Sequence, residues 1–187
     1  MKEEQIEAIK LAINGCCKCP LHLTRHNVVP GEGNINSNIM FVGEGPGQEE
    51  DRQGRPFVGP AGQLLDKMLA AVNLDRTKVY IANIVKCRPP QNRVPEEEEA
   101  LLCLPYLRKQ FAVMKPQIVV CLGSTAARYM IDRNIRITRD RGNWYEKMGC
   151  SFIATYHPSA LLRDPEKKKD AWKDMKSIRQ KLDSLNP

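Results

Sequence analysis

Asn38-Ile39-Met40-Phe41-Val42 runs directly into Gly43-Glu44-Gly45-Pro46-Gly47. A short apolar run of this kind suits a strand buried on both faces of a parallel sheet, and the glycines that follow turn the chain out of it. Val79 to Val85, Gln117 to Leu122 and Ser151 to Thr155 repeat the pattern, each rich in Ile, Val or Phe. Helical stretches separate these strands, from about Pro60 to Val72, Pro95 to Met114 and Ser124 to Asp132, with a last one near Glu166 to Leu185. A first helix over residues 3 to 14 places Ile6, Ile9, Ala12 and Ile13 on one face, and Asn14-Gly15 stops it. Strand alternating with helix predicts an α/β fold, a three-layer α/β/α sandwich with a central, mostly parallel four-stranded sheet. Trp144 to Lys147, between Gly142 and Gly149, is a candidate extra hairpin arm.

At 187 residues the chain reads as one domain, 1–187, which includes the N-terminal helix and the cysteine loops. That length buries about 70% of the surface an unfolded chain exposes. A composition of 42% hydrophobic and 27% charged residues is that of an ordinary globular protein. No stretch approaches the ~18 apolar residues of a membrane span, and MKEEQIEAIKLAING holds no apolar signal core, so a cytoplasmic monomer away from membranes is expected. In a reducing cytosol, seven cysteines point to metal or free thiols before disulfides. The net charge of +7 suits a polyanionic partner, although the basic residues are spread and Lys167, Lys168 and Lys169 read as a solvated helix face.

In an open parallel sheet the ligand crevice lies at the carboxyl ends of the strands. The first exit, Gly43 to Gly47, continues through Gln48-Glu49-Glu50-Asp51 to Gly54-Arg55-Pro56-Phe57-Val58-Gly59. Glycines let backbone N–H groups approach a ligand, and an acid among them can orient water; a plain tight turn accounts for the glycines equally well. No Gly-Lys-Ser/Thr follows, which excludes a Walker-type phosphate loop. At the second exit Asn83 offers a donor and an acceptor together, suited to a pyrimidine edge or to tying down a loop, and Arg88 and Arg93 can meet phosphates. The fourth exit carries His157-Pro158-Ser159-Ala160-Leu161-Leu162-Arg163. Here a histidine stands where chemistry would occur, Ser159 can bind a phosphate, and Leu161 or Leu162 can wedge into a base stack. Cys16-x2-Cys19 and Cys87-x15-Cys103 suggest one metal site closed by folding, for which structural zinc is a natural occupant. Cys17 can substitute for Cys16; His22 and His26 offer a second zinc-like set or a phosphate-facing pair; Cys121 reads as core and Cys150 as inert.

Taken together, Gly43-Glu44-Gly45-Pro46-Gly47, the Phe57 segment, Asn83, the cysteine spacing and His157-Pro158-Ser159-x-Leu161-Leu162-Arg163 resemble the family 4 uracil-DNA glycosylases, iron–sulfur members of their superfamily. The likeness runs from Cys16 to Arg163 in the family's order. It implies release of uracil from single- or double-stranded DNA by hydrolysis of the N-glycosidic bond, with the base flipped into a pocket. Phe57 would stack on uracil, Asn83 would bond its Watson–Crick edge, and the backbone around Gly43, Glu44 and Gly45 would complete the cradle. His157 would donate to the developing uracil oxyanion, while Glu44 would orient water, with Glu50 as a second acid for that role. Arg88, Arg93, Ser159, Leu161, Leu162 and Arg163 would contact DNA. Cys16, Cys19, Cys87 and Cys103 would hold a 4Fe-4S cluster, and replication or repair factors are conceivable partners. Gln48 and Cys17 depart from the family pattern without removing a named role. Pro89-Pro90-Gln91-Asn92 occupies the place where a related branch carries a basic insertion that captures the abasic sugar, so turnover is expected. The rival readings are an iron–sulfur DNA-binding or redox-sensing protein with a silent pocket, and a glycosylase for another deaminated base such as hypoxanthine.

Overall fold

The computed structural model of the protein describes residues 1–185. Its helices are α1 (Lys2–Asn14), α2 (Gln48–Gln53), α3 (Pro60–Ala70), α4 (Glu97–Met114), α5 (Ser124–Met130), α6 (Ile137–Asp140), α7 (Pro158–Arg163) and α8 (Lys168–Ser184). Its strands are β1 (Glu32–Gly33), β2 (Ile39–Gly43), β3 (Tyr80–Asn83), β4 (Ile118–Leu122), β5 (Trp144–Lys147) and β6 (Cys150–Thr155).

The strands form one six-stranded sheet in the order β1-β3-β2-β4-β6-β5. The inner strands β3, β2, β4 and β6 are the expected four-stranded parallel set, and two antiparallel edges, β1 and β5, extend it to six. β5 is the anticipated arm. β1 spans only Glu32 and Gly33, too short and too polar to carry a hydrophobic signature.

Alternation along β2 divides the core. Met40 and Val42 face a cluster that includes Ile6, Ile9 and Ile13 of α1, Leu104 and Leu107 of α4, and Ala126 and Ala127 of α5. Ile39 and Phe41 face the other layer, with Leu65 and Leu69 of α3 and Met175 and Ile178 of α8. Both faces of the sheet are therefore covered, which is why its strands read as unbroken apolar runs. α3 opens with Pro60 at its first position, where the missing N–H costs nothing. In α4, Glu99 reaches back to accept from the Glu96 backbone N–H at 2.8 Å, half of a capping box.

Parallel register sets the exits side by side, with Gly43 opposite Asn83 and Leu122 opposite Thr155. β3 ends at Asn83, short of the expected Val85. Even so, Ile84 and Val85 donate to the Gly43 and Glu44 carbonyls at 2.9 and 3.2 Å, so the backbone of the first exit is held by the second.

Candidate active site

A cleft of about 800 Å³ opens at these strand ends, and Glu44, Gly45, Phe57, Asn83, His157 and Leu162 are among its walls. Gly43 is the point of closest packing. A Cβ there would lie 2.5 Å from Asn83 Oδ1 and 2.5 Å from Phe57 Cζ, so only glycine lets those two side chains meet. Asn83 is 1% exposed, and its Oδ1 is the only buried side-chain nitrogen or oxygen without a hydrogen-bond partner among the described residues. An amide oxygen left unpaired in the wall of a cleft lacks an N–H donor.

Phe57 holds a positive φ of 53° and its ring stacks on that of His157, with centroids 5.5 Å apart and planes at 29°. His157 caps α7. Its Nδ1 accepts from the Ser159 backbone N–H at 3.1 Å and lies 2.8 Å from Ser159 Oγ. A backbone N–H can only donate, so the neutral ring carries its proton on Nε2. Desolvation, with the nearby charge of Arg163, pushes the imidazole pKa down to about 4 and keeps the ring neutral at physiological pH. The Thr125 hydroxyl of α5 donates to Glu44 Oε2 and fixes that carboxylate.

The structure gives several of the expected residues partners of their own. Glu50 lines the cleft, and its Oε1 accepts from the N–H groups of Val58 and Gly59, both at 2.9 Å, which holds the Phe57 turn. Leu161 is 1% exposed within a cluster with Tyr156 and Ala171, which corrects its reading as a wedge; Leu162, one step around α7, is 46% exposed. Arg93 lines the cleft and gives Nη1 and Nη2 to Glu99 at 2.8 and 2.7 Å, which anchors this guanidinium at the start of α4. Arg88 donates to Asn92 Oδ1 at 2.7 Å and does not line the cleft. Lys167, expected on a solvated face, does line it, as does Arg163. His26 Nδ1 lies 2.6 Å from the buried carboxylate of Asp51, which ties the segment after the first cysteines to α2.

Cys16, Cys19, Cys87 and Cys103 line a second cavity, between α1, the exit of β3 and α4, with Ile13, Leu21, Val85 and Tyr106 in its wall. All four are free thiols, and Cys17 is exposed. Arg25 Nη1 donates to Cys87 Sγ at 3.1 Å and to the Cys16 carbonyl at 2.9 Å, and the Lys86 N–H donates to Cys103 Sγ at 3.3 Å. Burial pushes the Cys103 thiol up to about 11 and raises Cys87 and Cys19 as well, so loading a metal here releases protons. Lys86 joins the two cavities. Its side chain is fully enclosed and donates to the Asn83 carbonyl at 3.0 Å and to Gln110 Oε1 at 2.9 Å.

Sequence reasoning did not single out Thr125 or Lys86, and it gave Lys167 no place in the cleft. The third strand exit was the place to look for Thr125, but Gly123-Ser124-Thr125 carries no distinctive motif.

The sequence matches the family model described as Uracil DNA glycosylase superfamily over residues 30–176. A type-4 uracil-DNA glycosylase of Thermotoga maritima is 48% identical over 165 residues, covering 87% of this chain and 86% of the relative. One from Sulfurisphaera tokodaii is 44% identical over 186 residues, covering 95% and 84%, and one from Archaeoglobus fulgidus is 44% identical over 183 residues, covering 94% and 92%. On a match that spans both the strand-end cleft and the β3 exit, the chain belongs to the uracil DNA glycosylase superfamily, alongside its type-4 members.

Proposed function

We propose that the protein flips uracil out of DNA into the strand-end cleft, hydrolyses its N-glycosidic bond, releases the free base and leaves an abasic site. The observation that carries this reading is the unpaired, buried Oδ1 of Asn83 beside Phe57. Uracil presents an N–H at position 3 and a carbonyl at position 4, the complement of a carboxamide. Cytosine presents the reverse, and its entry would leave buried polar groups facing like groups.

In the reaction the C1′–N1 bond breaks with its electron pair passing to uracil. The Nε2–H of His157 donates to the oxygen where that charge collects, and a fixed donor of this kind supplies ~100- to 1000-fold in rate. Glu44, held by Thr125, orients the water whose oxygen bonds to C1′ and favours the cationic sugar. The water's proton leaves to solvent, and uracil departs once it is reprotonated. Leu162 fills the gap in the base stack, while Arg163, Lys167 and Ser159 approach phosphates from the same wall.

The same reading gives Cys16, Cys19, Cys87 and Cys103 a 4Fe-4S cluster. Their chemistry fits: four thiols share one largely apolar cavity, flanked by Arg25. Among the described residues no three His, Cys, Asp or Glu side chains gather as ligands of a single ion. Four thiolates are a ligand set that a 4Fe-4S cluster and a structural zinc share, and the likeness to type-4 relatives favours the cluster. When bound, the cluster braces the structure and supplies no step of the hydrolysis. No helix among the described residues is long and apolar enough to cross a membrane, and the proposed setting is the cytoplasm, as a monomer on DNA.

Purified protein incubated with a uracil-containing oligonucleotide should release uracil and leave an alkali-labile site, with Glu44→Gln and His157→Ala each at least about 100-fold slower. A brown protein absorbing near about 400 nm supports the cluster. Intact oligonucleotide after exposure to cluster-loaded protein would sink the reading, and a preference for hypoxanthine in the same assay would redirect it.

A further inference from the structure

The platform for the base is a turn that does not hold itself. Phe57 sits at a φ of +53°, where a bulky L-residue is sterically disfavoured. Below it, Gly62 is packed so tightly that a Cβ would fall 1.8 Å from the Phe57 carbonyl oxygen. Two charged side chains grip this turn from opposite sides. Arg76 donates through Nη1 to the Pro56 carbonyl at 2.8 Å and through Nη2 to the Phe57 carbonyl. It is itself anchored by Asp66 at 2.7 Å and by Glu32 of β1 at 3.0 Å. On the other side Glu50 Oε1 takes the N–H groups of Val58 and Gly59. The cation thus holds consecutive carbonyls and the anion the next two amides.

We infer that Arg76 and Glu50 are positioning residues, a two-sided clamp that keeps Phe57 left-handed and its ring aimed at the base. The inference rests on the proposed reading that uracil stacks on Phe57. Without the guanidinium, the carbonyls of Pro56 and Phe57 lose their donors and the turn relaxes toward negative φ. The ring then leaves its place between Gly43 and His157. Glu50 therefore shapes the platform and does not activate water, a role that falls to Glu44 alone. β1 also gains a purpose, because Glu32 carries both Arg76 and Arg55, the latter at 2.9 and 3.0 Å.

The test is a cycle with Phe57→Ala, measuring affinity for free uracil and steady-state kinetics on a uracil oligonucleotide. Stacking acts on bound substrate and transition state alike, so Arg76→Ala should raise Kd and KM about tenfold with kcat little changed. In the Phe57→Ala background it should cost nothing further. Glu50→Gln, which keeps an acceptor oxygen, should stay within a few-fold of wild type, whereas Glu50→Ala should resemble Arg76→Ala. Losses that multiply between Arg76→Ala and Phe57→Ala would overturn the clamp, as would a kcat collapse in Glu50→Gln comparable to that of Glu44→Gln. Should Arg76→Ala fail to fold, Arg76→Gln carries the same cycle. Amide exchange of Val58 and Gly59 reads the clamp without any substrate: both should be protected in the wild type and exchange faster in Glu50→Ala and Arg76→Ala. Unchanged exchange defeats the inference even if the protein is a glycosylase, and faster exchange in a wild type–inactive protein would defeat the functional reading alone.

Discussion

The imidazole of His157 is the side chain whose environment says most about the chemistry. A ring with a pKa near 4 is a neutral donor throughout the physiological range, and its Nδ1 is already occupied by Ser159. In the proposed reaction it would serve a developing oxyanion as a hydrogen-bond donor without being protonated first. For stability the sign follows from the unfolded chain, where a histidine titrates near about 6.5. Between pH 6.5 and 4 the unfolded state binds a proton that the folded state refuses, so the His157 contribution is fully present above the upper value and is lost on acidification through that window. Two measurements check this. The kcat/KM profile should show no acid limb near pH 6.5, and the urea midpoint of wild type should fall more steeply from pH 6.5 to 4 than that of His157→Gln. A basic limb near pH 6.5, with activity lost as pH rises, that vanishes in His157→Gln would mean the ring works as a cation.

Helix phase makes a sharper distinction than the motif did. Leu161 and Leu162 are equivalent as letters, but one residue's step around α7 puts the first in contact with Tyr156 and Ala171 and leaves the second at the cleft rim. Leu161→Ala should therefore cost about 2 to 5 kcal/mol of stability. Leu162→Ala should leave the melting temperature unchanged while slowing uracil release from duplex more than from single-stranded DNA, because only the duplex has a stack to fill. The contrast also marks how far the sequence could be read. Buried parallel strands announce themselves through apolar runs such as Ile39 to Val42, and the exits of β2, β3 and β6 were visible as Gly43 to Gly47, Asn83 and His157. What stayed hidden depends on partners far apart in the chain. Arg93 looks free until Glu99 is seen beside it, Glu50 looks catalytic until its carboxylate is found on Val58 and Gly59, and nothing local marks Arg76 as the residue 19 positions away that holds the Phe57 carbonyl. β1 and α2 were missed for a similar reason, being too short or too polar to show a period.

At the scale of the whole molecule the cysteine cavity and the cleft are built on the same strand exit, since Asn83 lies in the cleft wall and Cys87 four residues on. Lys86 lies between them, fully buried, its ammonium on the Asn83 carbonyl and its N–H on Cys103. The sheet owes little to the cavity, because Phe41, Val120 and Ile153 are enclosed by α3 and α8 on the opposite face. The segment from Gly15 to Val29 lies against it: between α1 and β1 its fixed points include Cys16 and Cys19, the Arg25 bridge to Cys87, the His26 pair with Asp51, and the Val29 N–H on the Lys86 carbonyl. The proposed cluster, joining four thiolates from three parts of the chain, would thus contribute to local order far more than to the core. Stripping it by an oxidant and chelator should abolish the band near about 400 nm and open residues 15–29 to proteolysis while far-UV circular dichroism stays close to that of the holoprotein. Uracil affinity should weaken as well, because the Asn83 carbonyl is anchored through Lys86 to the wall that has loosened. Global unfolding on removal would instead show that the sheet itself depends on the cluster. Unaltered proteolysis would show that α1 packing on α4 and the Asp51 clamp suffice to hold the segment.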